Sequence, residues 1–327
     1  MSIQFPRFKK KTLTLAYLTS QIELADILKK IKNKKLFQCI LKDKVDNIID
    51  QKLINVDTSV GRIIKLSKTK ILIGCGNYSI KIVDLTSGIC INSFSDCILY
   101  ISCVTKLSKS QIASGCKDYS IKIWELPKFN CLKTLVGHYY VITTIAKLDD
   151  NKIVSGSKDL IILWDLDSGN CLNSITTADI PLEIIKLNND KILIVFENKG
   201  TICQIYDLIK CYFVKTVKKY NSSVYSCAKL SKTGIAVGID EDKSIIILDF
   251  VTGEFLNTLN GLRSIAVSLT KIRKKLLVSG TSGGSITIWN LIGGNCLKTF
   301  IGHEEDVLCI FKFSKYQIQI DSNFFSY

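Results

Sequence analysis

The chain of 327 residues contains two histidines, His138 and His303. A histidine acts as a general base where a nucleophile and an orienting carboxylate converge on it. His138 has one of each just downstream, Ser155 and Asp159 in NKIVSGSKDLIILWDL at residues 151–166. Taken alone, the three have the makings of a nucleophilic triad. Two glycine-rich stretches, GCGNYS at 74–79 and SGTSGGS at 279–285, have the composition of loops that cradle phosphate. Such loops need a following helix whose N-terminus faces the anion, and neither stretch is followed by a helical pattern. Thirteen cysteines occur without one Cys-x-x-Cys pair, and no His, Cys and Asp cluster has the spacing of a zinc or calcium site. The sequence therefore names no cofactor and no metal.

The elements around these residues favour a structural role for them. Both histidines stand in Gly-His dipeptides, Gly137-His138 and Gly302-His303. The stretch that carries Ser155 is nearly repeated at 110–126 as SQIASGCKDYSIKIWEL. Taking the tryptophan of each as a marker, the equivalents are Val83, Trp124, Trp164, Tyr206, Leu248 and Trp289, separated by 41, 40, 42, 42 and 41 residues. A fixed period of this length points to stacked repeats. Each period holds four short runs of strand-forming residues between polar turns; in the third they are VITTIAKL, KIVSG, LIILWDL and CLNSI. Four such strands make a small sheet that is apolar on both faces, and it must lean on copies of itself.

On these residues the chain resembles the WD40-repeat β-propellers. The likeness is carried by Trp164-Asp165, the two Gly-His dipeptides, Ser155-Gly156-Ser157 and turn residues such as Asp118, Asp159 and Asp242, and it covers about residues 50–327. It implies an all-β propeller of six complete blades from about residue 59 to 301, then the first two strands of a partial seventh in EDVLCIFKF and YQIQI. It also implies that His138, Ser155, Asp159 and Trp164 form a buried tetrad in which an Asp–His pair completes the chain of hydrogen bonds.

Residues 1–49 precede the propeller region, 50–327, as a basic extension. Within 21–50 the apolar residues recur at helical spacing, which predicts amphipathic helices broken near Asn33. The competing use of this region is ring closure, with residues 36–41 as third strand and 50–55 as outermost strand of a split seventh blade. LTSQIELADILKKIKNKKLFQC, beginning at Leu18, is also weakly similar to an F-box through Leu18, Ile22, Ile27, Leu28, Ile31 and Leu36. It departs from that pattern at Thr19, where proline is usual. An F-box ahead of WD40 repeats would imply a substrate receptor for a ubiquitin ligase.

The net charge is +15, from 44 Lys and Arg against 29 Asp and Glu. This favours acidic partners, RNA or an anionic membrane on electrostatic grounds. Most of the lysines fall in turns, where they are expected to be solvated, and only four arginines are present. Cys90, Cys131, Cys171, Cys211 and Cys296 recur at one place in the period and Cys103, Cys227 and Cys309 at another, which predicts small buried hydrophobes in a reducing compartment. FKKKTLTLAYLTSQIE imitates a secretory signal, yet no small-residue cleavage site follows before Glu23, and no apolar run approaches the ~20 residues of a membrane span. A cytoplasmic protein is expected.

The resemblance implies a non-catalytic adaptor that docks other proteins on the face formed by the loops before the first strands and between the second and third. The matching positions are Lys117, Tyr139, Tyr140, Lys158, Arg263, Glu304 and Glu305. The alternative is a basic surface for RNA or anionic membrane.

Overall fold

The computed structural model describes residues 2–4, 12–18, 49–55, most of 60–301, 306–307, 309–312 and 317–321. Among these residues there are strands, turns and no α-helix. Three strands precede the repeats: β1 (Ser2–Gln4), β2 (Thr12–Leu18) and β3 (Ile49–Asn55). Six blades of consecutive antiparallel strands follow. Blade 1 holds β4 to β7 (Val60–Lys65, Lys70–Cys75, Ile80–Asp84, Cys90–Phe94) and blade 2 holds β8 to β11 (Ile101–Lys106, Gln111–Cys116, Ile121–Glu125, Cys131–Leu135). Blade 3 holds β12 to β15 (Ile142–Lys147, Lys152–Ser157, Leu160–Asp165, Cys171–Thr176) and blade 4 holds β16 to β19 (Pro181–Lys186, Lys191–Phe196, Gly200–Asp207, Tyr212–Tyr220). Blade 5 holds β20 to β23 (Val224–Lys229, Gly234–Ile239, Ser244–Asp249, Phe255–Leu259) and blade 6 holds β24 to β27 (Ala266–Arg273, Leu276–Thr281, Ser285–Asn290, Asn295–Ile301). β28 (Cys309–Lys312) and β29 (Gln317–Asp321) complete the order.

The hydrophobic cores lie between blades, not inside them. Leu72, Ile80 and Ile82 of blade 1 pack with Ile101, Ile112 and Trp124 of blade 2. Ala113 and Ile121 of blade 2 likewise meet Ile142, Ile153 and Trp164 of blade 3. The second strands, such as β13 and β17, are buried along nearly their whole length, because both faces of each sheet are covered by a neighbour. The fourth strands, such as β15, lie on the rim and alternate between exposed and half-buried. Burial on both faces explains why the second-strand sequences read as continuous apolar runs instead of alternating ones.

Two details let the blades approach this closely. A bulge opens each first strand at the same place, between Ile101 and Cys103, Ile142 and Thr144, or Val224 and Ser226. Opposite these three bulges the second strand carries glycine, whereas Val195 stands opposite the bulge of blade 4. A Cβ on Gly238 would sit 2.5 Å from the carbonyl oxygen of Ala266 in the next blade, and one on Gly115 would sit 3.0 Å from Ile142 Cβ. Side-chain hydroxyls cross the same gap, Ser226 Oγ donating to Ala266 O at 2.5 Å and Ser268 Oγ to Val307 O at 2.6 Å.

The seventh sheet is composite, in the order β28-β29-β2-β3. Its first two strands come from the C-terminal stretch, as the repeat spacing predicts, and Ile49–Asn55 is the outermost strand. The third strand is Thr12–Leu18, paired to β29 on one side and β3 on the other. That place is therefore not filled by residues 36–41. TLTLAYL alternates threonine and alanine with apolar residues, a two-residue period suited to a strand. β1 pairs parallel to β27, so blade 6 has a fifth strand. The extension expected to be helical thus contributes two strands; of the helical stretch expected over 21–50, residues 49 and 50 begin β3 and 21–48 lie outside the described residues.

Candidate functional site

The residues with the makings of a nucleophilic triad meet at the end of blade 3 where β13 turns into β14. β13 places Ser155 and Ser157 on one face, two residues apart, and the loop entering β12 brings His138 over them. Trp164 on β14 donates its indole N–H to Ser155 Oγ at 2.8 Å. His138 Nε2 lies 2.6 Å from Ser155 Oγ and its Nδ1 2.8 Å from Ser157 Oγ. Ser157 Oγ donates to Asp159 Oδ1 at 2.5 Å.

One ordering of protons satisfies every group. Indole N–H to Ser155, Ser155 O–H to His138 Nε2, His138 Nδ1–H to Ser157 and Ser157 O–H to the Asp159 carboxylate run in a single direction. The link between Asp and His expected from the family pattern is therefore indirect, with Ser157 standing between them. Ser157 has no role in that pattern; its two-residue spacing from Ser155 on a strand is the signal that puts both hydroxyls on one face.

This ordering keeps the imidazole neutral. Burial lowers its pKa from 6.5 to about 4, against the smaller opposing pull of the Asp159 carboxylate. His138, Ser155 and Ser157 are all buried, and Ser155 already receives the indole proton. A nucleophile needs a free path to substrate, and this hydroxyl has none; the arrangement holds a turn against a blade.

Other blades keep parts of the same device. Trp124 donates to Ser114 Oγ at 2.8 Å, and Trp289 donates to Ser279 Oγ at 2.9 Å. In blade 6 the position of Ser157 is taken by Thr281, which bonds to Ser285 Oγ at 2.8 Å, and Leu262 stands where His138 does in blade 3. The polar residue that closes each third strand, acidic in blades 1 to 5 and Asn290 in blade 6, has a separate task. Asp249 Oδ1 accepts the N–H groups of Val251 and Thr252 at 2.8 and 2.9 Å, and Asp165 Oδ1 accepts from Ser168 N at 2.7 Å. Hydrogen bonds from Ser168 hold the Asp165 carboxyl below its ordinary range, and those from Thr233 and Thr252 do the same for Asp249.

Several lysines lie in strands and not in turns, and their ammonium groups are engaged. At the ends of first strands, Lys106 Nζ donates to Leu66 O at 2.5 Å and Lys229 Nζ to Lys186 O at 3.2 Å. Lys186 reaches Leu148 O and Lys271 reaches Leu230 O in the same manner. Each bond joins a blade to the one before it. On the rim, Lys133 Nζ binds Leu166 O and Asp167 O at 2.9 and 2.6 Å. Part of the positive charge therefore ties blades together at their seams and does not form a free basic face.

Burial, expected for all the recurrent cysteines, does not hold for those at the start of the fourth strands. Cys90, Cys131, Cys171, Cys211 and Cys296 are exposed, whereas Cys103 is buried and Cys227 and Cys309 are half-buried. The register of the fourth strand slips beside the marker residue, between Ile123 and Trp124 in blade 2 and between Leu163 and Trp164 in blade 3. The fourth strand lies on the rim, where the cysteine opposite the marker and the leucine after it, Leu132 or Leu172, are both exposed. Cys211 lies in the turn just before its strand at φ 58, where the other blades have Gly169, Gly253 or Gly294.

The loops before the first strands and between second and third strands emerge at one end of the ring. Lys117 lies between β9 and β10, Tyr139 and Tyr140 between β11 and β12, and Lys158 between β13 and β14, so these four gather where blades 2 and 3 meet. All four are exposed, and Lys158 Nζ stands 5.7 Å from the centre of the Tyr140 ring. Arg263 is exposed on the same end, before blade 6, apart from that group. Glu304 and Glu305 lie outside the described residues, as does His303. Among the described residues no group of His, Cys, Asp and Glu could hold a metal ion, and no helix is long and apolar enough to cross a membrane.

Comparison with known proteins agrees with this geometry. The family model described as WD domain, G-beta repeat matches residues 129–165, the stretch that includes His138, Ser155, Asp159 and Trp164. Cell division control protein 4 of Saccharomyces cerevisiae (strain ATCC 204508 / S288c) is 28% identical over 95 residues, 29% of this chain. The match spans only 12% of that protein's length. Among solved structures, the computationally designed Ika8 protein aligns with a TM-score of 0.63 at 18% identity over 81% of this chain and 96% of its own. That likeness concerns the fold.

Proposed function

We propose that this chain, a WD40-repeat β-propeller, is a non-catalytic scaffold that docks partner proteins on the end of the ring formed by the loops before the first strands. Proteins built on such propellers generally act in this way, and the observation that carries the reading here is the exposed group Lys117, Tyr139, Tyr140 and Lys158 on a rigid frame. Loops on a fixed scaffold are where recognition residues concentrate, and aromatic side chains are frequent anchors. The burial of His138 and Ser155 supports leaving catalysis out.

Two finer readings go with it. The F-box-like stretch from Leu18 lies between the sequence positions of β2 and β3, and on the family resemblance it would make the protein a substrate receptor of a ubiquitin ligase. The many free thiols fit a reducing cytoplasm. RNA or an anionic membrane is the competing partner class, and the lysines engaged at the seams argue against it.

Affinity capture from the native cell tests the scaffold reading, comparing the full chain with Tyr139→Ser/Tyr140→Ser and with the rim variant Ile209→Ser. Recovered proteins should be lost with the double variant alone. The same recovery from all three sinks the reading. Loss of ligase subunits when residues 19–48 are replaced by a Gly-Ser linker would support the receptor role.

A further inference from the structure

The exposed large hydrophobic side chains are unevenly spread. Among the described residues, twelve lie on fourth strands or the turns that lead into them, from Ile89 to Ile292. The remaining four are Tyr119, Val136, Tyr139 and Tyr140, with exposures of 42%, 77%, 74% and 48%. All four lie in two loops, β9–β10 and β11–β12, that open on the docking end where blade 2 meets blade 3. The loops of the other blades at that end carry no such side chain among the described residues.

The charges at this seam are oriented. Asp118 Oδ1 accepts from the backbone N–H and the hydroxyl of Ser120 at 3.0 and 2.6 Å, and Asp159 Oδ1 accepts from Ser157. Both carboxylates are turned into their own loops. Lys117 and Lys158 are exposed and have no ion-pair partner among the described residues, and Lys158 leans over Tyr140. A partner here meets an apolar and aromatic strip with an ammonium group on each flank. Long-range attraction from a chain of net charge +15 selects an acidic partner over a basic one.

We propose that the seam between blades 2 and 3 docks an acidic linear segment of a partner protein that carries an aromatic or aliphatic anchor. The anchor covers Tyr139 and Tyr140, and carboxylates of the segment pair with Lys117 and Lys158. This rests on the scaffold reading and narrows its partner to one chemical class.

The test is fluorescence anisotropy with the full chain and a fluorescein-labelled peptide of alternating Glu and Leu with one central Phe. Its counterparts with Gln or Lys in place of Glu, and labelled poly(U) RNA, are the controls. Saturable binding of the Glu peptide is expected, weakened about tenfold or more by Tyr139→Ser/Tyr140→Ser and by Lys117→Glu/Lys158→Glu. The Gln peptide should lose a similar factor, and Ile209→Ser should change nothing. No saturable binding of the Glu peptide, equal binding of the Gln or Lys peptide, or tighter binding of poly(U) overturns the proposal. Should the tyrosine variant fail to fold, the lysine variant carries the test, because both lysines are exposed and outside the blade cores. If the peptide does not bind while cellular partners still depend on Tyr139 and Tyr140, this inference alone fails. If the partners ignore those tyrosines, the scaffold reading fails with it.

Discussion

His138 Nε2 lies 2.6 Å from Ser155 Oγ, whose other partner is the indole of Trp164. The imidazole accepts at one nitrogen and donates at the other, so it bridges a loop to the middle of a blade. Replacing it by alanine leaves Ser155 and Ser157 without that partner in a buried place. His138→Ala should destabilise the fold by about 1 to 3 kcal/mol in chemical denaturation. An unchanged midpoint and slope would remove the bridge from the account.

The same bridge makes stability depend on pH. Burial lowers the folded pKa of His138 to about 4, below its ordinary 6.5, so between these values the unfolded chain binds the proton and the folded chain does not. Stability is full above pH 6.5 and falls as pH drops toward 4. A gap of that size is worth about 3 kcal/mol. Denaturation midpoints measured across this window should slope downward for the wild type and flatten in His138→Gln; parallel curves would refute the assignment.

Trp164 is buried in the core between blades 2 and 3 and also starts the hydrogen-bonded chain. Trp164→Ala should cost about 3 to 5 kcal/mol through the cavity it opens. Calorimetry reads this directly, and a melting temperature equal to wild type would contradict the packing.

Gly238 faces the next blade so closely that an added methyl group meets Ala266 O at 2.5 Å. The backbone there cannot retreat without parting blades 5 and 6. Gly238→Ala should therefore destabilise by about 1 to 3 kcal/mol, whereas Gly261→Ala, with nothing within 4 Å of its Cβ but a φ of 105, tests backbone strain alone. Equal losses in the two variants would mean that close approach is not the cause.

The composite sheet predicts a dependence on the N-terminus. Without residues 1–18, β29 loses its partner β2, and the β1 pairing to β27 disappears. The shortened chain should melt earlier and less cooperatively, and self-associate through the open strand edge. Size-exclusion chromatography together with calorimetry checks this; a monomer with the wild-type transition would show that the ring closes without β2.

Much of this was legible in the residues. The marker positions from Val83 to Trp289 fixed a period near forty, and the period fixed six blades, because a sheet of four short strands with two apolar faces has one stable use. Glycine at the close approaches between blades, as at Gly115 and Gly238, carries no such signal, because the touching partner lies in the next blade. The exposed cysteines are not legible in this way, because they open fourth strands that lie on the rim, and spacing along the chain does not record which strand of a blade faces solvent.

The sequence by itself determined the repeat, its strands and the family they resemble, since those follow from which side chains alternate and how often. Only the tertiary structure decided that Ser157 stands between Asp159 and His138, that Lys106 and Lys229 bind carbonyls of neighbouring blades, and that Thr12–Leu18 completes the seventh sheet. Each of these joins residues brought together by the closing of the ring or the turning of a loop, and hydrogen bonds of a few ångströms depend on that closure and not on order along the chain.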